Sequence, residues 1–178
     1  GYPWFAPAGL QRGRVSNAAS VGYIDDEGEY VPVTLNEGIR NVLYQNNINP
    51  ITFIPGSGSV VYGQKTRNPF ASALDRVNVA RLINYIRKRA DEIARPYLFE
   101  PNDKQTRDSV LDSFNRFFAE LVTLRGVTDF LVVCDTSNNT PARIDRNELW
   151  IDIALQPTKA VEFIYIPIRI RNTGEDLG

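Results

Sequence analysis

Residues 131–157 read LVVCDTSNNTPARIDRNELWIDIALQP and combine two apolar runs with a long polar connector. The first run predicts a strand over Asp129–Cys134, and the second predicts a strand over Glu148–Leu155. Between them, Asp135, Asn138 and Asn139 predict a tight turn, because short polar side chains readily hydrogen-bond to their own backbone. This stretch therefore predicts two strands joined by a charged, turn-rich connector.

Two long helices are predicted before this stretch. The first covers Ser72–Arg95 and is ended by Pro96, because the residue before a proline resists helical geometry. The second begins near Asn102 or Asp103 and ends at Gly126, a residue type that favours helix termination. Each helix is predicted to bury one apolar stripe. The stripe residues are Val79, Leu82, Ile83, Ile86, Ala90 and Ile93 in the first helix and Val110, Leu111, Phe114, Phe117, Phe118, Leu121 and Val122 in the second.

Shorter elements are predicted nearer the N-terminus. The sequence TLNE at residues 34–37 matches a capping box, with threonine as the cap, and predicts a helix that ends at Asn46-Asn47. Ile51–Ile54 and Val60–Tyr62 are predicted strands. Residues 1–33 are rich in Gly, Pro, Ser and Asn and are predicted to be an extended connector with short strands at best.

Together these patterns predict an α+β fold, with a mixed sheet flanked by two long helices and with extended N- and C-terminal arms. The expected parts are the connector at residues 1–33, a central domain at residues 34–160 and a C-terminal arm at residues 161–178. Because the chain starts at Gly1 and contains no methionine, it is expected to be a fragment or a processed piece of a larger protein.

The C-terminal segment Val161–Arg171 is the part that a monomer explains least well. If it is extended, the isoleucines at alternate positions from 164 to 170 face one side. Pro167 cannot donate to a strand ladder, which favours an edge strand or a break. The segment is either an edge strand on its own sheet or an arm that completes the sheet of a neighbouring subunit through main-chain hydrogen bonds. The candidate residues for strand exchange are Phe163, Ile164, Tyr165, Ile166, Ile168, Arg169 and Ile170.

The composition limits the possible classes of function. The 178 residues carry a net charge of −1, so no global basic field attracts nucleic acid or an anionic membrane, and neither is an expected partner. Histidine, the commonest general base and metal ligand, is absent. The single cysteine, Cys134, ends an apolar run and is predicted to be a buried, inert thiol. No catalytic residue, cofactor or metal site is therefore predicted.

Three local patterns support competing interpretations. Gly58–Thr66 superficially resembles a phosphate-binding loop, but Gln64 separates the glycine from the Lys-Thr pair that the pattern requires. The carboxylates between residues 135 and 152 match no calcium-binding loop. Basic residues on the outer face of the Ser72–Arg95 helix could contact nucleic acid, although a solvated face is the simpler interpretation. A nucleotide-binding enzyme and a nucleic-acid binder thus remain as alternative functions.

Five blocks follow one another in order along the chain: WFAPAGLQRG at residues 4–13, VVYGQKT at 60–66, LDRVNVARLINYI at 74–86, LFEPN at 98–102 and the stretch at 131–157. Together they resemble the C-terminal part of the tail sheath proteins of contractile-tailed phages, above all the T-even type. The resemblance implies that residues 34–160 are the conserved inner domain of a structural protein. It further implies stacked hexameric rings around a tail tube, with termini that join the sheets of adjacent subunits, and contraction that drives the tube through the host envelope for genome delivery.

The resemblance also implies partners. A charged helix is expected to face the tube, with Lys104, Arg107 and Arg116 as candidates and the basic face of the Ser72–Arg95 helix as the second choice. The expected partners are other sheath subunits, the tail tube protein, and baseplate and tail terminator proteins. The expected location is a virion tail assembled in the host cytoplasm. The sheath of a related contractile injection system or bacteriocin is the alternative within this class.

Overall fold

The computed structural model describes residues 1–18, 20–68, 70 and 72–166. Helices and strands are interspersed along these residues, which confirms the predicted α+β class. Short 3-10 turns at Ala73–Asp75 and Arg95–Tyr97 flank the first long helix. In chain order the elements are helix α1 (Gly9–Arg12), strands β1 (Gly22–Ile24) and β2 (Tyr30–Pro32), helix α2 (Glu37–Gln45), strands β3 (Ile51–Ile54) and β4 (Gly58–Val61), helices α3 (Val77–Ala94) and α4 (Lys104–Thr123), strand β5 (Val127–Val133), helix α5 (Pro141–Ile144) and strand β6 (Asp152–Pro157).

Among the described residues, the strands form three separate two-stranded antiparallel sheets: β1–β2, β3–β4 and β5–β6. The prediction of one mixed sheet is therefore wrong for the single chain. In each sheet the two strands follow one another in sequence, so pairing needs only a turn or a connector and no parallel crossover. The strand predicted over Glu148–Leu155 starts only at Asp152, because the backbone before it is bonded to the connector.

The core lies around α4, which packs against α3 and against β5. The apolar stripes predicted for the two long helices supply most of it, although Val122 is 37% exposed and lies outside the core. Burying a large apolar side chain contributes about 1.5–3 kcal/mol relative to leaving it in water, so this cluster is the main source of stability. Its buried members are Trp4, Leu82, Ile86, Val110, Phe114, Phe117, Phe118, Leu121, Val127, Val132 and Cys134.

Trp4 belongs to this core although it is distant in sequence from the other members. Its side chain is only 4% exposed, and its ring lies 5.4 Å from the ring of Tyr85. The indole Nε1 donates a hydrogen bond to the Leu124 carbonyl oxygen at 3.0 Å. A Cβ atom at Gly126 would lie 3.3 Å from the indole, a tight contact that favours glycine there. The first residues of the predicted connector are thus held by the core.

Two helices start differently from the prediction. The first long helix starts later than Ser72, because Arg76 is extended (φ −119°, ψ 138°) and forms an antiparallel bridge with Lys65. This bridge separates the 3-10 turn from α3. At α2, Asn36 is the N-cap instead of the predicted threonine, and its Oδ1 accepts a hydrogen bond from the Ile39 backbone N–H at 2.9 Å. Both differences depend on which side chain or strand reaches the free backbone groups at a helix start.

The end of α4 also differs from the prediction, which assigned its termination to Gly126. Instead, Arg125 adopts the left-handed conformation, with φ 62°. The Gly126 N–H donates to the Leu121 carbonyl at 2.8 Å, and the Arg125 N–H donates to the Val122 carbonyl at 3.0 Å. This is a Schellman motif in which arginine occupies the position usually taken by glycine. The close approach of the Trp4 ring is a separate reason that favours glycine at position 126.

Replacing Arg125 by glycine is expected to raise the free energy of unfolding by about 0.5–1 kcal/mol, because glycine adopts a positive φ without strain from a Cβ atom. Urea denaturation monitored by circular dichroism measures the change. Arg125→Ala removes the same charge but keeps the Cβ atom, so it should not stabilise the protein. Equal stabilisation by both variants would contradict the conformational explanation.

Candidate subunit-linking site

The chain leaves the folded body after β6. Val161 and Phe163–Ile166 adopt no regular secondary structure, and their exposed fractions range from 65% to 87%. An edge strand on the chain's own sheet is therefore not what the structure shows for these residues. We call Phe163–Ile166 the exposed arm segment. Of the other strand-exchange candidates, Ile168, Arg169 and Ile170 lie outside the described residues.

Glu162 interrupts this run of exposed residues, since its side chain is only 17% exposed. Its Oε1 accepts hydrogen bonds from Arg76 Nε at 2.7 Å and from Gln64 Nε2 at 3.2 Å. Its Oε2 accepts from the Tyr44 hydroxyl at 2.7 Å and from Arg76 Nη2 at 3.1 Å. We call these four residues the Glu162 clasp. Two-pronged pairing of a guanidinium with a carboxylate is among the stronger polar contacts in proteins.

The clasp shifts the ionisation of its members. Burial raises the pKa of Glu162, but the hydrogen bonds from Arg76, Tyr44 and Gln64 outweigh burial, so that the pKa lies below its ordinary value. The pKa of Tyr44 is raised above its usual range, first by burial and then by the hydrogen bond to Glu162. The hydrogen bond to Glu162 also raises the pKa of Arg76. Near neutral pH the clasp thus consists of a carboxylate, a guanidinium and two neutral donors.

The residues just before Glu162 are also held to the body. Asn78 Nδ2 donates to the Thr158 carbonyl oxygen at 3.4 Å, and the Thr158 N–H donates to the Gly126 carbonyl oxygen at 3.2 Å. Asn78 and Gln64 are each 4% exposed. Both direct an amide N–H at the segment that leads to the arm, and the side-chain oxygen of each has no hydrogen-bond partner among the described residues.

The β5–β6 sheet has one face on the core and one face outward. Phe130 of β5 and Ile153 and Leu155 of β6 pack against the core. On the outer face, Leu131 pairs in register with Ala154 and is 61% exposed. Within the described ranges, no third strand pairs with this sheet. Its unpaired edges therefore offer backbone N–H and C=O groups to an added strand.

Two buried asparagines organise the connector between β5 and β6. Asn139 Nδ2 donates to the carbonyl oxygens of Asp135 at 3.1 Å and Trp150 at 3.0 Å. Asn139 Oδ1 accepts from the Trp150 backbone N–H at 2.7 Å. Asn138 Nδ2 donates to the Val133 carbonyl oxygen at 2.8 Å, at the end of β5. The prediction that these side chains form the turn is confirmed, and the turn fixes the two strands relative to each other.

The three cations predicted to face a tube do not share one surface. Arg107 is only 8% exposed, and its Nη1 donates to both the backbone and the side-chain oxygen of Asn102 at 3.1 Å. The structure thus places Arg107 inside the protein, contrary to the expectation of a surface cation. Lys104 and Arg116 are exposed, and Lys104 pairs with Asp108 at 2.5 Å. At about 100° per residue, Lys104 and Arg116 lie roughly 120° apart around α4.

The basic face of α3, the second choice for a tube contact, is partly neutralised by its own helix. Arg89 pairs with Glu92 at 2.5 Å, and Arg95 pairs with Asp91 at 2.8 Å. Exposed pairs of this kind contribute only about 0–1 kcal/mol each and are screened by salt. Arg76 at the start of this helix is bound in the Glu162 clasp instead.

The remaining chemical candidates are explained by local structure. Lys65 Nζ donates to the Tyr44 carbonyl oxygen at 2.6 Å, so it does not point into a phosphate-binding loop. Cys134 is 2% exposed, and burial raises its pKa, which confirms a buried thiol. In the part of the chain that the structure describes, no group of three or more metal-ligating side chains is assembled. Over the same ranges, no helix has the length and apolar character needed to cross a membrane.

Sequence reasoning missed the Glu162 clasp. One signal was available, because Glu162 is the only acidic residue in the otherwise apolar and basic segment 161–171. Its partners could not be found by spacing, since Arg76 lies 86 positions away and Tyr44 lies 118 positions away. The side chains come together only when α2, the strand before Gln64 and α3 have packed.

The sequence has clear relatives. A profile of the phage tail sheath C-terminal domain matches residues 71–171. The tail sheath protein of Vibrio phage KVP40 is 38% identical over 174 residues, which cover 98% of this chain and 24% of that protein. The tail sheath protein of Enterobacteria phage T4 is 34% identical over 173 residues, which cover 97% of this chain and 25% of that protein. The chain thus spans about a quarter of the length of these curated relatives.

The fold also has solved counterparts. A chain in the cryo-EM structure of an extracellular contractile injection system, the PVC sheath complex in its contracted state, superposes with a TM-score of 0.74. The match has 20% sequence identity and covers 94% of this chain and 46% of that chain. At this identity the likeness concerns the fold alone.

Proposed function

Since the chain belongs to the phage tail sheath C-terminal domain family, we propose that it is the part of a contractile sheath subunit that links neighbouring subunits around a tail tube. The proposed role is mechanical. The subunits polymerise as a sheath, and contraction of the sheath drives the tube through the host envelope for genome delivery. No enzymatic step is part of this proposal.

The observation that carries the proposal is the exposed arm segment. Its four apolar or aromatic residues are at least 65% exposed, immediately after a buried and bound carboxylate. Soluble proteins seldom leave such a run open to water unless a partner covers it. Among the described residues, the edges of the two-stranded β5–β6 sheet are unpaired, and an extended segment can join them by main-chain hydrogen bonds. The arm of one subunit and the sheet of the next therefore have complementary main-chain hydrogen-bonding groups.

This linkage explains how a mixed or larger sheet arises. A neighbour's arm supplies a further strand to the β5–β6 sheet, so the central domain at residues 34–160 is completed in the assembly. When two different surfaces of a subunit meet and the rotation between subunits does not close a ring, the contact repeats along a helix. Such a helical arrangement is compatible with a stack of hexameric rings. Links through extended segments let subunits reorient during contraction while they stay connected. The extended sheath is then a metastable state held by a barrier.

Further partners belong to the same proposal. The tail tube protein is the surface on which the sheath assembles, and baseplate and tail terminator proteins meet its two ends. The location is the virion tail, after assembly in the host cytoplasm. Lys104 and Arg116 remain candidates for tube contact, because both side chains are exposed on α4. Weak exposed ion pairs suit a grip that is released on contraction.

The proposal is tested by replacing Phe163, Ile164, Tyr165 and Ile166 with serine in the protein that carries this chain. We expect sheath polymers seen by electron microscopy to be lost, because the arm can no longer bury apolar side chains on a neighbour. The control replaces Leu98 and Phe99 with serine. These two residues precede α4 and are 65% and 104% exposed. Polymers that survive the arm changes, or are lost equally in the control, would argue against the arm as the link.

A second variant tests the tube contact. Reversing Lys104 and Arg116 to glutamate is expected to lower the yield of tube-templated sheath several-fold, since a charge change worth about 0–1 kcal/mol per site is repeated in every subunit. The yield is measured by sedimentation of purified tubes with bound subunits. Reversal of Arg12 and Arg14, which are exposed and lie outside α3 and α4, changes the net charge equally and serves as the control. Unchanged binding in the Lys104 and Arg116 variant would exclude both residues as tube contacts.

The sheath of a contractile injection system is the second candidate. The fold of the PVC sheath chain supports it. The phage assignment is preferred because identities of 38% and 34% extend over nearly the whole chain.

A further inference from the structure

The exposed fraction changes abruptly at the start of the arm. Val161 is 80% exposed and Phe163 is 65% exposed, whereas the Glu162 side chain between them is 17% exposed. Extended chains alternate their side chains, but here the inward residue is a carboxylate instead of an apolar group. A carboxylate is buried at this position because matched donors surround it.

Those donors come from three separate parts of the fold. Tyr44 lies on α2, Gln64 follows β4, and Arg76 precedes α3. Arg76 is further restrained, because its backbone bridges to Lys65, whose N–H donates to Asn49 Oδ1 at 2.8 Å. The Glu162 clasp is therefore held by donors from three parts of the fold, one of which is itself fixed by a backbone bridge.

We propose that Glu162 is the positioning residue of the subunit linkage: the clasp holds the chain up to residue 162 on its own body and sends the arm toward the neighbour from a fixed point. This inference rests on the proposed function of the arm. It places the flexible part of the linkage after Glu162, so that subunit reorientation bends the arm and leaves the Thr158–Glu162 segment in place.

The physical benefit is pre-organisation. A segment that is tethered at a fixed point samples a smaller volume than one that is loose from the end of β6, so its effective concentration at the neighbour's sheet is higher. Less conformational entropy is then lost when the strand is added. Loss of the clasp should weaken the linkage without removing any residue that touches the neighbour.

Cleavage by trypsin after Lys159 measures the clasp directly. Lys159 is exposed and lies within the Thr158–Glu162 segment, and a protease needs this segment to detach before it can bind several residues on each side of the bond. When the segment detaches and rebinds faster than trypsin cleaves it, the cleavage rate reports the population of the detached form. Glu162→Gln keeps the size of the side chain but removes its charge, so we expect the rate to rise about tenfold or more.

Two further variants make the result specific. Tyr44→Phe removes one hydroxyl donor and should raise the rate by a smaller factor, roughly threefold. Glu92→Gln breaks an exposed pair with Arg89 on α3 and should leave the rate unchanged. Circular dichroism confirms that each variant is folded before cleavage is compared. A Glu162→Gln protein that is folded and is cleaved at the wild-type rate would overturn the proposal.

A second readout separates this inference from the proposed function. In sheath polymerisation, the folded Glu162→Gln variant should need several-fold more protein to form polymers, although its arm is intact. Wild-type assembly by this variant would reject a positioning role for Glu162 even if trypsin showed a loosened segment. If the serine-substituted arm also assembles normally, the proposed function itself fails, whereas the trypsin result still decides whether the clasp exists.

Discussion

Trp4→Ala should lower the free energy of unfolding by about 3–5 kcal/mol, as is typical when a large buried aromatic side chain is removed. Trp4 is 4% exposed and stacks on Tyr2, with ring centroids 4.8 Å apart. It also contacts Tyr85 and donates a hydrogen bond to the Leu124 carbonyl oxygen at the end of α4. The substitution leaves a cavity between the N-terminal residues and the helix pair. Guanidinium chloride denaturation measures the loss.

Two control variants identify the source of this effect. Trp4→Phe keeps most of the apolar contact but loses the indole N–H, so a smaller loss of about 1–2 kcal/mol is expected. Phe99→Ala removes an aromatic side chain that is 104% exposed, and should change stability by less than about 0.5 kcal/mol. If Trp4→Ala were as mild as Phe99→Ala, Trp4 would not belong to the cooperative core.

Asn139→Ala should lower the free energy of unfolding by about 2–4 kcal/mol. Several buried hydrogen bonds are lost together, and the backbone groups that they joined are left without a partner. Asn139 is 1% exposed. Its amide joins Asp135, at the start of the connector, to both backbone groups of Trp150 near its end. Without the Asn139 side chain, the residues that lead into β6 are no longer held to the start of the connector after β5. Chemical denaturation gives the energy, and hydrogen exchange at the Trp150 amide locates the change.

Ser137→Ala is the matched control within the same connector. Ser137 Oγ donates to Asp135 Oδ1 at 2.6 Å, but the residue is exposed, so water replaces the bond and the expected change is below about 0.5 kcal/mol. Similar losses for Ser137→Ala and Asn139→Ala would mean that burial of the asparagine is unimportant. A slow Trp150 amide in Asn139→Ala would show that another group has taken over its bond.

Much of the fold was predictable because its causes are local. The apolar positions of α3 and α4 recur at helical spacing, and most of them, such as Leu82 and Leu121, are buried or partly buried as predicted. Asp103 was one of two residues predicted at the start of α4, and its Oδ1 accepts from the Thr106 N–H at 2.9 Å. The Asp135–Asn139 turn follows from side chains that bond within a few residues. In these cases the relevant partners lie within one or two turns of chain.

Arg107 could have been placed better from the same periodicity. It precedes Val110 and Phe114 by 3 and 7 positions and therefore lies on the buried stripe of α4. Its charge made it a surface candidate, but its long side chain turns back to Asn102 at the start of the helix. Spacing was informative here, and residue type was misleading.

Local pattern thus accounts for the two long helices, the turn between β5 and β6, and the unusual apolar character of the C-terminal segment. It does not account for the placement of Trp4, the separation of the described strands into three sheets, or the Glu162 clasp. Trp4 and Leu124 are 120 positions apart, and Glu162 and Tyr44 are 118 positions apart. Such contacts depend on which surfaces meet when the elements pack, and periodicity over a few residues carries no information about that meeting. The point from which the arm departs is therefore a property of the folded protein, whereas the apolar character that led us to propose a partner for the arm is visible in its residues alone.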